Sequence, residues 1–152
     1  MKTKIKVPLL LAIFVLTGCS KAIVRSDSDP NTNLGLLKTF YVQKFSEDNR
    51  GLEKIIAKTL NGYGFQATDG TTAMPTTPVD ALVSYKDRWM WDITMYLLEI
   101  NVEFRKPDTN FLFASGNSYR TSLVRKSPEE MIDEVLRSIF AGKLELPKAK
   151  SD

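Results

Sequence analysis

Apolar residues repeat along this chain with two different periods, and each change of period marks an element. Leu36 to Phe45 is rich in aromatic and β-branched residues and is bounded by Gly35 and Ser46-Glu47-Asp48-Asn49, which predicts a strand. From about Asn49 to Asn61 the period becomes helical. Leu52, Ile55, Ile56 and Leu60 share one helical face, and Gly62 stands where a left-handed cap would end it. Tyr63 to Ala67 turns the chain into a second strand. Thr68 to Pro78, with five threonines, Gly70, Pro75 and Pro78, reads as a loop.

The apolar density then rises. A strand is predicted from Ala81 through Tyr85 to Ile93, with Val83, Tyr85, Asp87, Trp89, Trp91 and Ile93 on one face. Leu98, Ile100, Val102 and Phe104 alternate with Glu99, Asn101, Glu103 and Arg105, the pattern of a strand with one wet face. Pro107-Asp108-Thr109-Asn110 is turn chemistry, so Phe111 to Tyr119 returns as a hairpin partner. Gly116 within it signals a bulge or a close backbone approach. Ser127-Pro128-Glu129-Glu130 opens a helix: Ser127 can cap, Pro128 suits the first position and Glu130 completes a capping box. Its buried face is Met131, Ile132, Val135, Leu136, Ile139 and Phe140, and Gly142 ends it. The order β-α-β-β-β-β-α predicts an α+β fold, a largely antiparallel sheet with two helices packed on one face.

The beginning of the chain follows other rules. Lys2, Lys4 and Lys6 precede an apolar run from Val7 to Leu16, which ends in Leu16-Thr17-Gly18-Cys19. About ten apolar residues are too few to span a bilayer, which takes about 20. The arrangement is that of a secretory signal peptide over residues 1–18. Leu-Thr-Gly-Cys resembles the bacterial lipobox, in which Cys19 would carry a thioether-linked diacylglycerol and become the mature N-terminus. An ordinary signal peptide beside an incidental cysteine is the alternative. By resemblance to enterobacterial lipoproteins, Ser20 rather than Asp after the cysteine favours the outer membrane, facing the periplasm. Residues 19–33 read as the lipidated cysteine and a flexible tether dispensable for folding, although Ala22-Ile23-Val24 can instead pair as a short edge strand. Residues 34–147 form a single domain and 148–152 a disordered tail.

Composition changes the picture in two respects. The formal charge of +3 comes from the signal: without Lys2, Lys4 and Lys6, 18 Lys and Arg face 18 Asp and Glu. Nothing then argues for a nucleic-acid partner. Cys19 is the one cysteine, so the domain must hold together without a disulfide.

Short patterns within the predicted elements carry a resemblance. Lys38-Thr39-Phe40, Leu60-Asn61-Gly62-Tyr63, Asp80-Ala81-Leu82-Val83 and Phe111-Leu112-Phe113-Ala114-Ser115-Gly116 resemble the domain-of-unknown-function family 4136 over about residues 34–142. The resemblance implies a small bacterial lipoprotein with an α+β sandwich. The family's tryptophan in the last strand is absent, with Phe113 in its place. No established activity comes with the family.

The chain has no histidine, which rules out Ser-His-Asp and Cys-His catalysis and the usual histidine-based metal sites. No P-loop or dinucleotide glycine motif is present. Glu99 and Glu103 alternate on a strand and read as a solvated face, and no spacing singles out a Ser–Lys pair. No cofactor is implied. Trp89 and Trp91, flanked by Lys86, Arg88 and Asp92, are the candidate contact residues for a ligand or partner. The expectation is that at least one ring is core, Trp91 before Trp89, because Trp91 lies further along the apolar run toward Ile93. The functional expectation is a non-enzymatic, lipid-anchored envelope module. Its partners are the membrane, through the anchor, and an envelope protein or the domain itself. The alternative is a small-ligand or glycan carrier using Trp89 and Trp91.

Overall fold

The computed structural model describes residues 21–148. The stretch read as a signal peptide, Cys19, Ser20 and positions 149–152 lie outside them.

Within the described residues the elements run β1 (Ala22–Ser28), β2 (Thr39–Gln43), α1 (Leu52–Gly62), β3 (Gln66–Gly70), β4 (Ala81–Asp92), β5 (Thr94–Arg105), β6 (Leu112–Arg120) and α2 (Pro128–Phe140). They build one sheet in the order β1-β6-β5-β4-β2-β3. β1–β6, β6–β5 and β5–β4 are antiparallel, whereas β2 pairs parallel with both β3 and β4. The α+β class and the two helices on one face are as the periodicity predicts. The parallel pairs follow from the connections: α1 returns the chain for a parallel neighbour, as a crossover helix does.

The covered face of the sheet supplies Phe40, Val42, Ala81, Val83, Ile100, Val102 and Phe104, all buried. The helices answer with Ile56 and Leu60 from α1 and all six predicted positions of α2. Phe40 packs against Phe65, Phe104 and Phe140 at centroid distances of 4.9, 5.7 and 6.3 Å. The opposite face is polar: Arg88 pairs with Glu99 at 2.8 Å and Arg105 with Glu103 at 2.7 Å.

The helix ends show which local signals hold. Ser127 and Glu130 form the predicted capping box, and Gly142, at φ 70°, takes the left-handed conformation after α2. In the first helix the left-handed cap falls on Gly64, at φ 94°, and Gly62 remains helical. Gly116 is a close approach, not a bulge. A Cβ there would sit 2.8 Å from Val135 Cγ1, so its absence lets α2 settle on β6. The register shift in this hairpin lies instead between Phe104 and Arg105.

The tether reading requires correction. Residues 22–28, placed by the sequence in a flexible tether, form β1, which pairs in seven register positions with β6. Ser26 donates through Oγ to the Ser138 carbonyl at 2.9 Å, which ties the strand to α2. The structure takes the alternative, an edge strand at Ala22-Ile23-Val24, and extends it to Ser28; the extension is not legible because its side chains are mostly exposed and backbone pairing rather than burial holds it. The second strand is also displaced, beginning at Gln66 and running into the threonine-rich stretch as far as Gly70.

Deleting residues 20–33 is therefore expected to destabilise the domain. Each lost backbone hydrogen bond is worth about 0.5–1.5 kcal/mol net, and the freed edge of β6 becomes a template for association. Thermal melts and gel filtration of fragments 20–152 and 34–152 check this. An unchanged melt with a monomeric elution would restore the tether.

Candidate functional site

Trp89 and Trp91 lie on the long β4–β5 hairpin, and the structure separates them. The register of the pair shifts between Arg88 and Trp89. Trp89 is half-buried against the core, and its indole Nε1–H donates to Asp87 Oδ2 at 2.6 Å. The Arg50 guanidinium stands 4.1 Å from its ring centroid, so that face is already covered. Trp91 is 68 % exposed. The expected order is thus reversed: Trp89 is the more buried ring. The apolar run that leads to Trp91 is the overhang of a hairpin, and no helix lies beneath it.

The overhang ends in an unusual turn. Asp92 pairs with Thr94, leaving Ile93 alone at the tip, 86 % exposed and at φ 62°. A β-branched residue in the left-handed region is a genuine outlier. Met90 and Met95 are exposed beside it. Arg125 supports the turn from below. Its Nη1 donates to Thr94 Oγ1 at 2.7 Å, its Nε donates to the Ser122 carbonyl at 3.0 Å, and its guanidinium lies 4.8 Å over the buried Tyr96 ring.

A second cluster, which sequence reading missed, lies at the start of α1. Asp48 is buried. Its carboxylate accepts from the backbone N–H groups of Arg50, Gly51 and Leu52 at 2.6, 3.2 and 2.7 Å, and from the Tyr85 hydroxyl at 2.7 Å. Glu53, also buried, lies 3.2 Å from the same hydroxyl. Gly51, in the left-handed region, has no side chain to cap the helix, so Asp48 takes that role from three residues upstream. Burial pulls the Asp48 carboxyl upward, but the hydrogen bonds from Tyr85 and from the Arg50 and Leu52 backbone outweigh it and hold it below its ordinary 3.8. Burial, then the bond to Asp48, pushes the Tyr85 hydroxyl up. Ser46-Glu47-Asp48-Asn49 was legible as strand-ending polar residues; its capping role depends on Tyr85, distant in sequence.

The residues behind the family resemblance act as fasteners. Asp80 accepts from the N–H groups of Lys38 and Thr39 at 2.8 and 2.9 Å, clamping the starts of β4 and β2 together. Asn61 exchanges two hydrogen bonds with the Ala67 backbone, and Tyr63 donates to Asp133 Oδ1 at 2.6 Å, linking α1 to α2. Phe113 is buried in the core. None of these side chains is arranged for chemistry. Among the described residues no group of three or more acidic or cysteine side chains is placed to hold a metal ion. An open groove of about 650 Å³ on the polar side, with Gln43, Lys86, Asn101 and Glu103 in its wall, includes neither tryptophan.

No protein-family model matches the chain, and no curated protein does. Solved structures do share its fold. PelC from Paraburkholderia phytofirmans, a dodecamer, is similar in two crystal forms with TM-score 0.59 and 18 % identity. These cover 80 % and 78 % of this chain and 99 % and 98 % of PelC. A protein of domain-of-unknown-function family 4136 from Bacteroides thetaiotaomicron has TM-score 0.49 and 10 % identity, over 77 % of this chain and 93 % of its own. Among the described residues no helix is long and apolar enough to cross a membrane.

Two outcomes follow for the site. In fragment 20–152, Trp91→Ala should shift stability by no more than about 0.5 kcal/mol. Trp89→Ala should cost about 2–3 kcal/mol, below the 3–5 typical of a fully buried ring. Urea unfolding of both variants decides, and a larger loss from Trp91→Ala would contradict the exposed placement. For Asp48, a depressed folded pKa means that its contribution is fully present above the ordinary value of 3.8 and is lost as pH falls through the depressed one. Asp48→Asn should therefore flatten the loss of stability between neutral pH and about pH 3, as measured by urea melts across that range; an unchanged acid slope would refute it.

Proposed function

We propose that this chain is a lipid-anchored lipoprotein of the bacterial envelope that acts by binding rather than catalysis. The observation that carries the reading is Leu16-Thr17-Gly18-Cys19 at the end of a short apolar run behind three lysines. Two acyl chains at Cys19 would make attachment stable where one would be marginal. Ser20 favours the outer membrane, with the domain on the periplasmic side.

The remaining support is chemical. A chain without histidine, whose one cysteine is taken by lipid, has few groups for acid–base or nucleophilic work near neutral pH. Of its buried carboxylates, Asp48 caps α1 and Glu53 accepts from the Tyr85 hydroxyl. That a chain of this fold assembles as a dodecamer in PelC makes the domain itself the first partner to test. The carrier alternative is the weaker reading, because Arg50 covers Trp89 and the groove on the polar side lies apart from Trp91.

Cys19→Ser should abolish palmitate labelling and signal cleavage at this site and move the protein out of the membrane fraction. Labelling that persisted in the variant would refute the lipobox. Native protein found only in the inner-membrane fraction would refute the outer-membrane assignment.

A further inference from the structure

We infer that the β4–β5 tip seats in the lipid bilayer at the headgroup boundary, so that the domain stands on its membrane through Trp91 and Ile93 as well as through its anchor. This rests on the anchoring proposed above and adds a second membrane contact to it.

The first argument is the composition of the tip. Trp91, Ile93 and Met95 are exposed together, and Leu123, in the short turn before α2, is exposed at 72 %. Ile93 is the telling residue. A turn that needs positive φ is normally given to Gly or Asn. Here the strain is accepted and the most exposed point of the hairpin is an aliphatic side chain. Water gives no reason for that choice, whereas a hydrocarbon boundary does. Tryptophan beside it suits the same depth, its ring apolar and its N–H toward the headgroups.

The second argument is placement, and it selects the bilayer as the occupant. Thr121 donates its backbone N–H to the Lys21 carbonyl at 3.1 Å, and the Lys21 N–H donates to Thr121 Oγ1 at 3.1 Å. Ala22 pairs with Arg120, and Tyr119 with Glu99, so β1 begins level with about Leu98. β5 continues from there to Thr94, four residues or about 13 Å further in the direction of the tip. Arg125 joins the segment after Thr121 to Thr94. Cys19 precedes Lys21 by two residues, at most about 7 Å of chain. The acyl chains therefore leave the domain at the end that carries Trp91, Ile93, Met95 and Leu123. A connection this short holds that end against the membrane. Lys21 lies exposed on the same end, suited to headgroup phosphates, while Arg125 offsets the tip carboxylate of Asp92 at 3.9 Å.

The test uses the uniqueness of Cys19. Residues 19–152, which contain every described element, are coupled through the Cys19 thiol to a maleimide phospholipid. The vesicles are phosphatidylethanolamine and phosphatidylglycerol with a fraction of lipid brominated near the headgroup. Trp89→Phe leaves Trp91 as the only indole, and Trp91→Phe leaves Trp89. Trp91 emission should shift to the blue, lose most of its intensity to the brominated lipid and become shielded from iodide, while Trp89 emission stays unaffected by bromine. Ile93→Asp, with an unchanged melt, should restore iodide access to Trp91. Trp91 as open to iodide on vesicles as in the uncoupled protein would overturn the inference. So would shielding from iodide without bromine quenching, which would mean a second copy of the chain covers the tip. Because coupling is chemical, these results stand whether or not cells acylate Cys19, and palmitate labelling judges the anchor separately.

Discussion

The ring of Phe40 is the contact on which the rest of this domain depends. β2 is flanked by parallel neighbours on both sides, β3 and β4, and its Phe40 packs against rings contributed by β5 and α2. Phe104 and Phe140 also meet each other at 5.8 Å, so three distant parts of the chain close around one point. Edge-to-face packing of this kind adds about 0.5–1.5 kcal/mol per pair beyond burial. Its larger effect is geometric, because it sets where α2 lies and therefore how far along the sheet the helix layer reaches.

That reach decides what is left uncovered. Both helices lie on one face, α1 above β2 and β3 and α2 above β1, β5 and β6, and the β4–β5 hairpin runs on past them. Trp89, at the border, is half-buried and finds a partner in Arg50. Trp91 and Ile93, beyond it, meet solvent. The contrast between two tryptophans one residue apart is thus a property of helix placement, not of the strand that carries them. The polar fasteners follow the same plan. Asp80, Asn61 and Asp48 each satisfy backbone N–H groups at the start of an element, where the ladder cannot.

Asp48 caps α1, and Glu99 and Glu103 pair with arginine. Trp91, Ile93, Met95 and Leu123 are exposed at the end of the sheet where β1 begins. Under the anchoring proposed above, anchor and overhang point the same way, and the polar face of the sheet is left uncovered by the helices.

The sequence by itself determined every element held by its own side chains. α2 could be read from Ser127 to Gly142 because cap, periodicity and terminating glycine are all local. β5 could be read because Ile100, Val102 and Phe104 alternate with polar residues. The lipobox is likewise a local pattern. Tertiary structure alone decided the rest. β1 carries almost no buried side chain, so only the free edge of β6 makes residues 22–28 a strand. Asp48 becomes a cap only when Tyr85 arrives from β4. Trp91 and Trp89 share a strand face and an apolar neighbourhood in sequence, and only the end of the helix layer separates a packed ring from an exposed one. Burial depends on what lies above a residue, and a one-dimensional pattern does not contain that.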